Sequence, residues 1–218
     1  NVYGGFAGDE PADYDLSLRD FEDNNTVLDG QNERRVLYQP FEFNVETRWN
    51  GFTVQHGKTS GDGAGVYMKR NGHLSECRIV DNVSANNGGG VYCANATVDN
   101  CFVSGNTTAN SGGGIYAVSG STVTNCIINN NATTDSRGAS YGGGGIYSSS
   151  ASISNCTIIN NSSASAGGGA YMYSTGMSQC DISHNFSNSV GGGAYTYGTR
   201  ISQCDINYNV SNSDGGGV

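Results

Sequence analysis

From Trp49 onward the apolar residues fall into two kinds of short alternating run, separated by polar clusters. The first run is built around cysteine. Three residues before each cysteine stand Leu74, Val98, Val123, Ile153, Met177 and Ile201. Then come Cys77, Cys101, Cys126, Cys156, Cys180 and Cys204, and two residues later Ile79, Val103, Ile128, Ile158, Ile182 and Ile206. Three further on are Asn82, Asn106, Asn131, Asn161, Asn185 and Asn209. A spacing of two puts each cysteine and the following aliphatic residue on one face of a strand, with polar neighbours on the other. Helical spacing explains none of this.

The second run follows a glycine cluster. Val66, Val91, Ile115, Ile146, Ala170 and Ala194 are followed two residues on by Met68, Cys93, Ala117, Ser148, Met172 and Thr196. Between the two sets lie Tyr67, Tyr92, Tyr116, Tyr147, Tyr171 and Tyr195. The smaller, more apolar set is expected inside and the tyrosines outside. The competing arrangement is an inward aromatic stack, with the glycines making room for it.

Both runs recur at a fixed period. The first glycine of each cluster is Gly63, Gly88, Gly112, Gly143, Gly167, Gly191 or Gly215, in steps of 25, 24, 31, 24, 24 and 24 residues. Such a period decides architecture before local propensity does. Each unit of ~24 residues is predicted to be one coil with three short strands. Successive coils pair in parallel about 4.8 Å apart, so like side chains stack. Strand twist and the crossover rule favour a right-handed winding. The predicted fold is all-β, a right-handed parallel β-helix. The long step comes from an eleven-residue segment, Ala132 to Gly142, where other coils have five. A solvent-facing corner tolerates such an insertion. Residues 1–46 read as an irregular cap with the first coils, and 47–218 as regular coils expected to continue past the last residue.

Composition fits this picture. The chain has 218 residues, of which 36% are hydrophobic and 13% charged, with 34 glycines and only two prolines. Tight turns joined by unbroken short strands suit such a sequence. The net charge of −9 is concentrated in the first 50 residues. No basic stripe exists, which argues against nucleic acid as a partner. No apolar run approaches membrane-spanning length, so no transmembrane segment is expected here.

The units resemble those of right-handed parallel β-helix surface proteins, in particular the polymorphic outer-membrane proteins of chlamydiae and related bacterial surface proteins. That family carries Gly-Gly-Ala-aliphatic and Phe-x-x-Asn motifs. Their counterparts here are Gly112 to Tyr116 and Ile128 to Asn131. The resemblance covers about residues 49–218, and it implies the same winding and a place on a cell surface.

Each row has candidate chemistry. Every recurring asparagine opens an Asn-x-Ser/Thr triplet, which reads either as a row of glycan acceptors or as an asparagine stack at a tight bend. Recurrence in every coil favours the stack, leaving Asn24 and Asn95 as better acceptors. The six aligned cysteines are expected to be buried thiols acting as small hydrophobes, at spacing unsuited to a metal. Cys93 has a disulfide to Cys77 or Cys101 as its alternative. The tyrosine row and the insertion, with Arg137 and Tyr141, are the candidate binding surfaces. Catalytic groups are scarce: Asp181 and Asp205, one coil apart and near Arg200, are the weak candidates for acid–base work or for holding calcium. No cofactor or metal is otherwise expected.

These readings favour an extracellular or cell-surface structural or adhesive solenoid over an enzyme. Its expected partners are a polysaccharide, a protein surface or, end to end, copies of itself as a fibre. The alternative is a polysaccharide lyase or glycoside hydrolase of the pectate-lyase-like class.

Overall fold

The computed structural model describes residues 1–11, 14–21, 23–136 and 141–218. The described residues form a solenoid whose strands lie in four sheets, all of them paired in parallel. Three sheets hold strands of mostly three or four residues, and the fourth is a row of two-residue strands.

The first sheet carries the tyrosines. Its strands are Leu37–Gln39, Val66–Met68, Val91–Ala94, Ile115–Val118, Ile146–Ser149, Ala170–Tyr173 and Ala194–Tyr197. The second precedes the cysteines and runs from Val2–Tyr3 through Thr47–Asn50, Gly72–Ser75 and Thr97–Asp99 to Arg200–Ser202. The third follows them, from Thr26–Asp29 and Phe52–Gln55 to Asp205–Asn207. The fourth follows the asparagines, from Lys58–Thr59 to Val210–Ser211.

Register is kept coil to coil. Val98 pairs with Val123, Val103 with Ile128 and Tyr92 with Tyr116, so identical positions stack. The core is therefore a bundle of vertical columns. Leu74, Val98, Val123 and Ile153 form one, and Ile79, Val103, Ile128, Ile158 and Ile182 another; all are fully buried. Each such side chain contributes roughly 1.5–3 kcal/mol by leaving water. The insertion leaves the stack undisturbed: Ala132 and Thr133 pair normally, and Gly142 bridges to Ala166.

Each regular coil turns at its corners through residues in the left-handed region. In one coil these are Asn95, Asn100, Gly105 and Gly112, with φ of 54°, 51°, 68° and 69°. Asparagine tolerates this conformation because its short amide bonds locally. The first glycine of each cluster needs it without a Cβ.

At the N-terminal end, Val2–Tyr3 lies on Thr47–Asn50 and Thr26–Asp29 on Phe52–Gln55. Arg19 anchors the irregular segment. Its guanidinium sits over the rings of Tyr3 and Phe21 and pairs with Glu76 at 3.7 Å. Among the described residues no helix is long and apolar enough to cross a membrane.

Candidate functional site: the tyrosine ladder and its neighbours

The tyrosines point outward. Tyr38, Tyr67, Tyr92, Tyr116, Tyr147, Tyr171 and Tyr195 form one continuous row, with successive ring centroids 5.4, 4.7, 5.3, 4.6, 5.2 and 5.0 Å apart. From Tyr67 to Tyr171 the rings lie within 15° of parallel. The inward positions of the same strands hold Val66, Val91, Ile115, Ile146 and Ala170, all fully buried. In-register pairing imposes the stack, since parallel strands bring like rings to one spacing. Each ring covers the next, so all but Tyr38 are only partly exposed.

Burial pushes the Tyr92 phenol up to about 12, helped by the neighbouring Tyr67 and Asp62. Burial raises Tyr116, Tyr147 and Tyr171 as well. Arg35 closes one end of the row: its guanidinium lies 4.5 Å from the Tyr38 ring centroid and 5.3 Å from that of Tyr67, while Nε donates to the Gly63 carbonyl at 2.9 Å. At the other end a second pair, Tyr173 and Tyr197, stands beside Tyr171 and Tyr195. The repeat places one tyrosine in each coil, and these two coils carry a second on the same face.

The asparagine row is internal. Each Nδ2 donates to the Oδ1 of the asparagine one coil on, at 2.9–3.0 Å from Asn82 to Asn209. Nδ2 also donates to a carbonyl of the preceding coil, as from Asn106 to Ile79 at 2.8 Å and from Asn131 to Val103 at 2.9 Å. The five from Asn82 to Asn185 are buried and their amides are engaged, which removes them as glycan acceptors in the folded chain. The glycine clusters and this ladder fit each other. A Cβ on Gly114 would lie 2.7 Å from the Gly145 carbonyl oxygen and 3.0 Å from Asn131 Cγ.

The cysteines are unpaired thiols among the described residues, Cys93 included, so its disulfide alternative is not formed. Cys77, Cys101, Cys126, Cys156 and Cys180 are buried in one column, with Cys204 half-exposed at its end. Their thiols donate back to the carbonyl two residues earlier, as Cys126 to Thr124 at 3.0 Å. Cys93 lies fully buried on the tyrosine sheet, and burial pushes its thiol up to about 12.

Asp181 and Asp205 are in-register neighbours on the third sheet, both exposed. Arg200 belongs to the second sheet, where it pairs with Gly176, and among the described residues neither carboxylate is ion-paired with it. A shallow groove lined by Asn155, Gln179, Gln203 and the two aspartates runs along that corner. No group of three or more metal-ligating side chains occurs among the described residues. Within the insertion Tyr141 is exposed, and Arg137 lies outside the described residues.

The comparisons with known proteins agree with the geometry. The family profile described as the right-handed β-helix region matches residues 43–215. No curated protein and no solved structure gives a match.

Proposed function

Because the chain belongs to the right-handed β-helix family, we propose that it is an extracellular or cell-surface structural and adhesive solenoid. It holds one repetitive face toward a polysaccharide, a host surface or copies of itself. The outward tyrosine row carries this reading. Seven rings lie along a sheet whose strands contain no charged residue. Such a strip offers a continuous row of ring edges, each with its hydroxyl, while the ring faces cover one another, and this suits contact along a polysaccharide chain or another protein. The internal ladders need no ligand and hold that strip straight.

The test is binding to an array of polysaccharides and to cell-surface extracts, for the native chain and for a Tyr116→Ala, Tyr147→Ala, Tyr171→Ala variant. The reading predicts a specific ligand whose binding the variant loses while its sheet circular dichroism is kept. A ligand bound equally well by both would overturn it. The alternative, cleavage of uronic polysaccharides, predicts released products that stop with Asp181→Asn or Asp205→Asn. Two solvated carboxylates on adjacent strands, with no ion-paired base beside them among the described residues, give that alternative little support.

A further inference from the structure

We infer that Tyr173 and Tyr197 form an oxidative cross-linking site, at which a one-electron oxidant such as a haem peroxidase with hydrogen peroxide joins the two rings as dityrosine. This goes beyond the adhesive reading and does not depend on it.

The two residues pair in register on adjacent strands. Their ring centroids are 5.3 Å apart and the planes are 6° from parallel. They are also accessible, at 46% and 64% exposure. Coupling of two phenoxyl radicals ordinarily waits for them to meet. Here the fold holds the partners together, which turns a bimolecular step into an intramolecular one. Rotation about the side-chain bonds of the more exposed Tyr197 brings an ortho carbon of one ring to the other.

Exposure alone does not select this pair. Tyr208 is more exposed, at 79%, but its ring stacks on His184 rather than on a phenol. Tyr38 is 58% exposed, but it meets Tyr67 at 48° beneath the Arg35 guanidinium. The rings from Tyr67 to Tyr195 are covered on both faces or packed against the row. Tyr173 and Tyr197 combine contact, parallel planes and access.

The step balances. Each phenol gives up one electron and one proton to the oxidant, leaving two phenoxyl radicals. A bond forms between their ortho carbons, and the two displaced ring hydrogens move to the oxygens as the rings regain aromaticity. The protein loses two hydrogen atoms, and one hydrogen peroxide is reduced to two waters. The product is a covalent tie between two consecutive coils.

The test is to treat the dilute folded protein with a haem peroxidase and limiting peroxide, isolate the monomer, and map it with a protease that cuts before aspartate. Cutting at Asp181 and Asp205 separates the two tyrosines. The inference predicts dityrosine fluorescence in the monomer, a mass lower by two hydrogens, and one fused peptide joining 135–180 to 181–204. Fragmentation places the bond between Tyr173 and Tyr197. Tyr197→Phe keeps the ring stack and should abolish the cross-link, whereas Tyr208→Phe should leave it intact. Dityrosine only between molecules, a bond mapped to Tyr171 and Tyr195, or no dityrosine at all would each overturn the inference.

Discussion

The side-chain oxygen of Asn131 accepts two hydrogen bonds from Asn106, one from the backbone N–H at 3.0 Å and one from Nδ2 at 3.0 Å. Asn131 in turn donates to Asn161 Oδ1 at 3.0 Å and to the Val103 carbonyl at 2.9 Å. One amide thus fastens three consecutive coils at a corner where the backbone has left the sheet ladder.

Removing it should be severe. Asn131→Ala strands the buried backbone N–H of Asn106, whose Nδ2 keeps the Ile79 and Ser104 carbonyls. It also removes the donations of Asn131 to Asn161 and to the Val103 carbonyl, each unsatisfied group costing about 1–3 kcal/mol. The expected loss is about 3–5 kcal/mol. It would be read as a lower urea midpoint with the slope maintained. Asn131→Asp keeps an acceptor for Asn106 but loses both donor bonds and buries a charge, so it should not rescue. A change under about 1 kcal/mol for Asn131→Ala would show that the ladder contributes little.

Two glycine substitutions should separate close packing from simple repetition. Gly114→Ala drives a Cβ to 2.7 Å from the Gly145 carbonyl and against Asn131, and should destabilise strongly. Gly176→Ala meets nothing within 4 Å. Its backbone is not in the left-handed region, so it should be neutral or stabilise by about 0.4–1 kcal/mol through the unfolded chain. Thermal unfolding of the two variants checks the contrast, and equal effects would refute the fit between glycine and amide.

Alkaline stability should report the tyrosine row. Folding favours the neutral phenol, so the folded value is raised above the unfolded one. That contribution is whole below about 10, the ordinary phenol value. It is lost as pH rises through about 12, where Tyr92 titrates. Phenolate absorbance should rise in two phases, the later one coinciding with loss of structure. A single transition near 10 would contradict a covered stack.

Thiol reagents should find one reactive group in the native protein. Cys204 is half-exposed, while the other six are buried and Cys93 is held at about 12. One thiol should react quickly and all seven after unfolding. Two or more fast thiols would place the cysteine column at the surface.

Much of this architecture was legible in the sequence. Cys126 and Ile128, two apart and repeated in every coil, identify two inward columns, although Cys126 stands just before the strand Ile127–Asn129 and not on it, and the recurring Asn131 position identifies a buried corner. The direction of the tyrosines was harder to read. Tyr116 alternates with both Ile115 and Ala117, and alternation alone does not say which set faces in. Size decided it: the column through Ile115, Ile146 and Ala170 fills the interior without room for rings. The two-residue strands such as Val83–Ser84 carry too few positions to show any alternation. The corner residues were concealed by their variety, since Glu76, Gln179, His184 and Tyr208 all adopt left-handed backbone. The residue just before each ladder asparagine or cysteine was nonetheless the signal. Arg35 and Arg19 act through contacts distant in sequence, with no local pattern to reveal them.

The stacking of coils can be measured directly. Thr97, Thr122, Ser152, Gly176 and Arg200 occupy successive places in one outward row. Spin labels attached by non-thiol chemistry at Thr97 and Arg200 should lie four strand spacings apart, about 19 Å, and labels at Thr97 and Gly176 about 14 Å. The eleven-residue insertion should add nothing to either distance. Separations well beyond 30 Å, or a step of more than one strand spacing across the insertion, would contradict a tube in which each coil lies directly on the last.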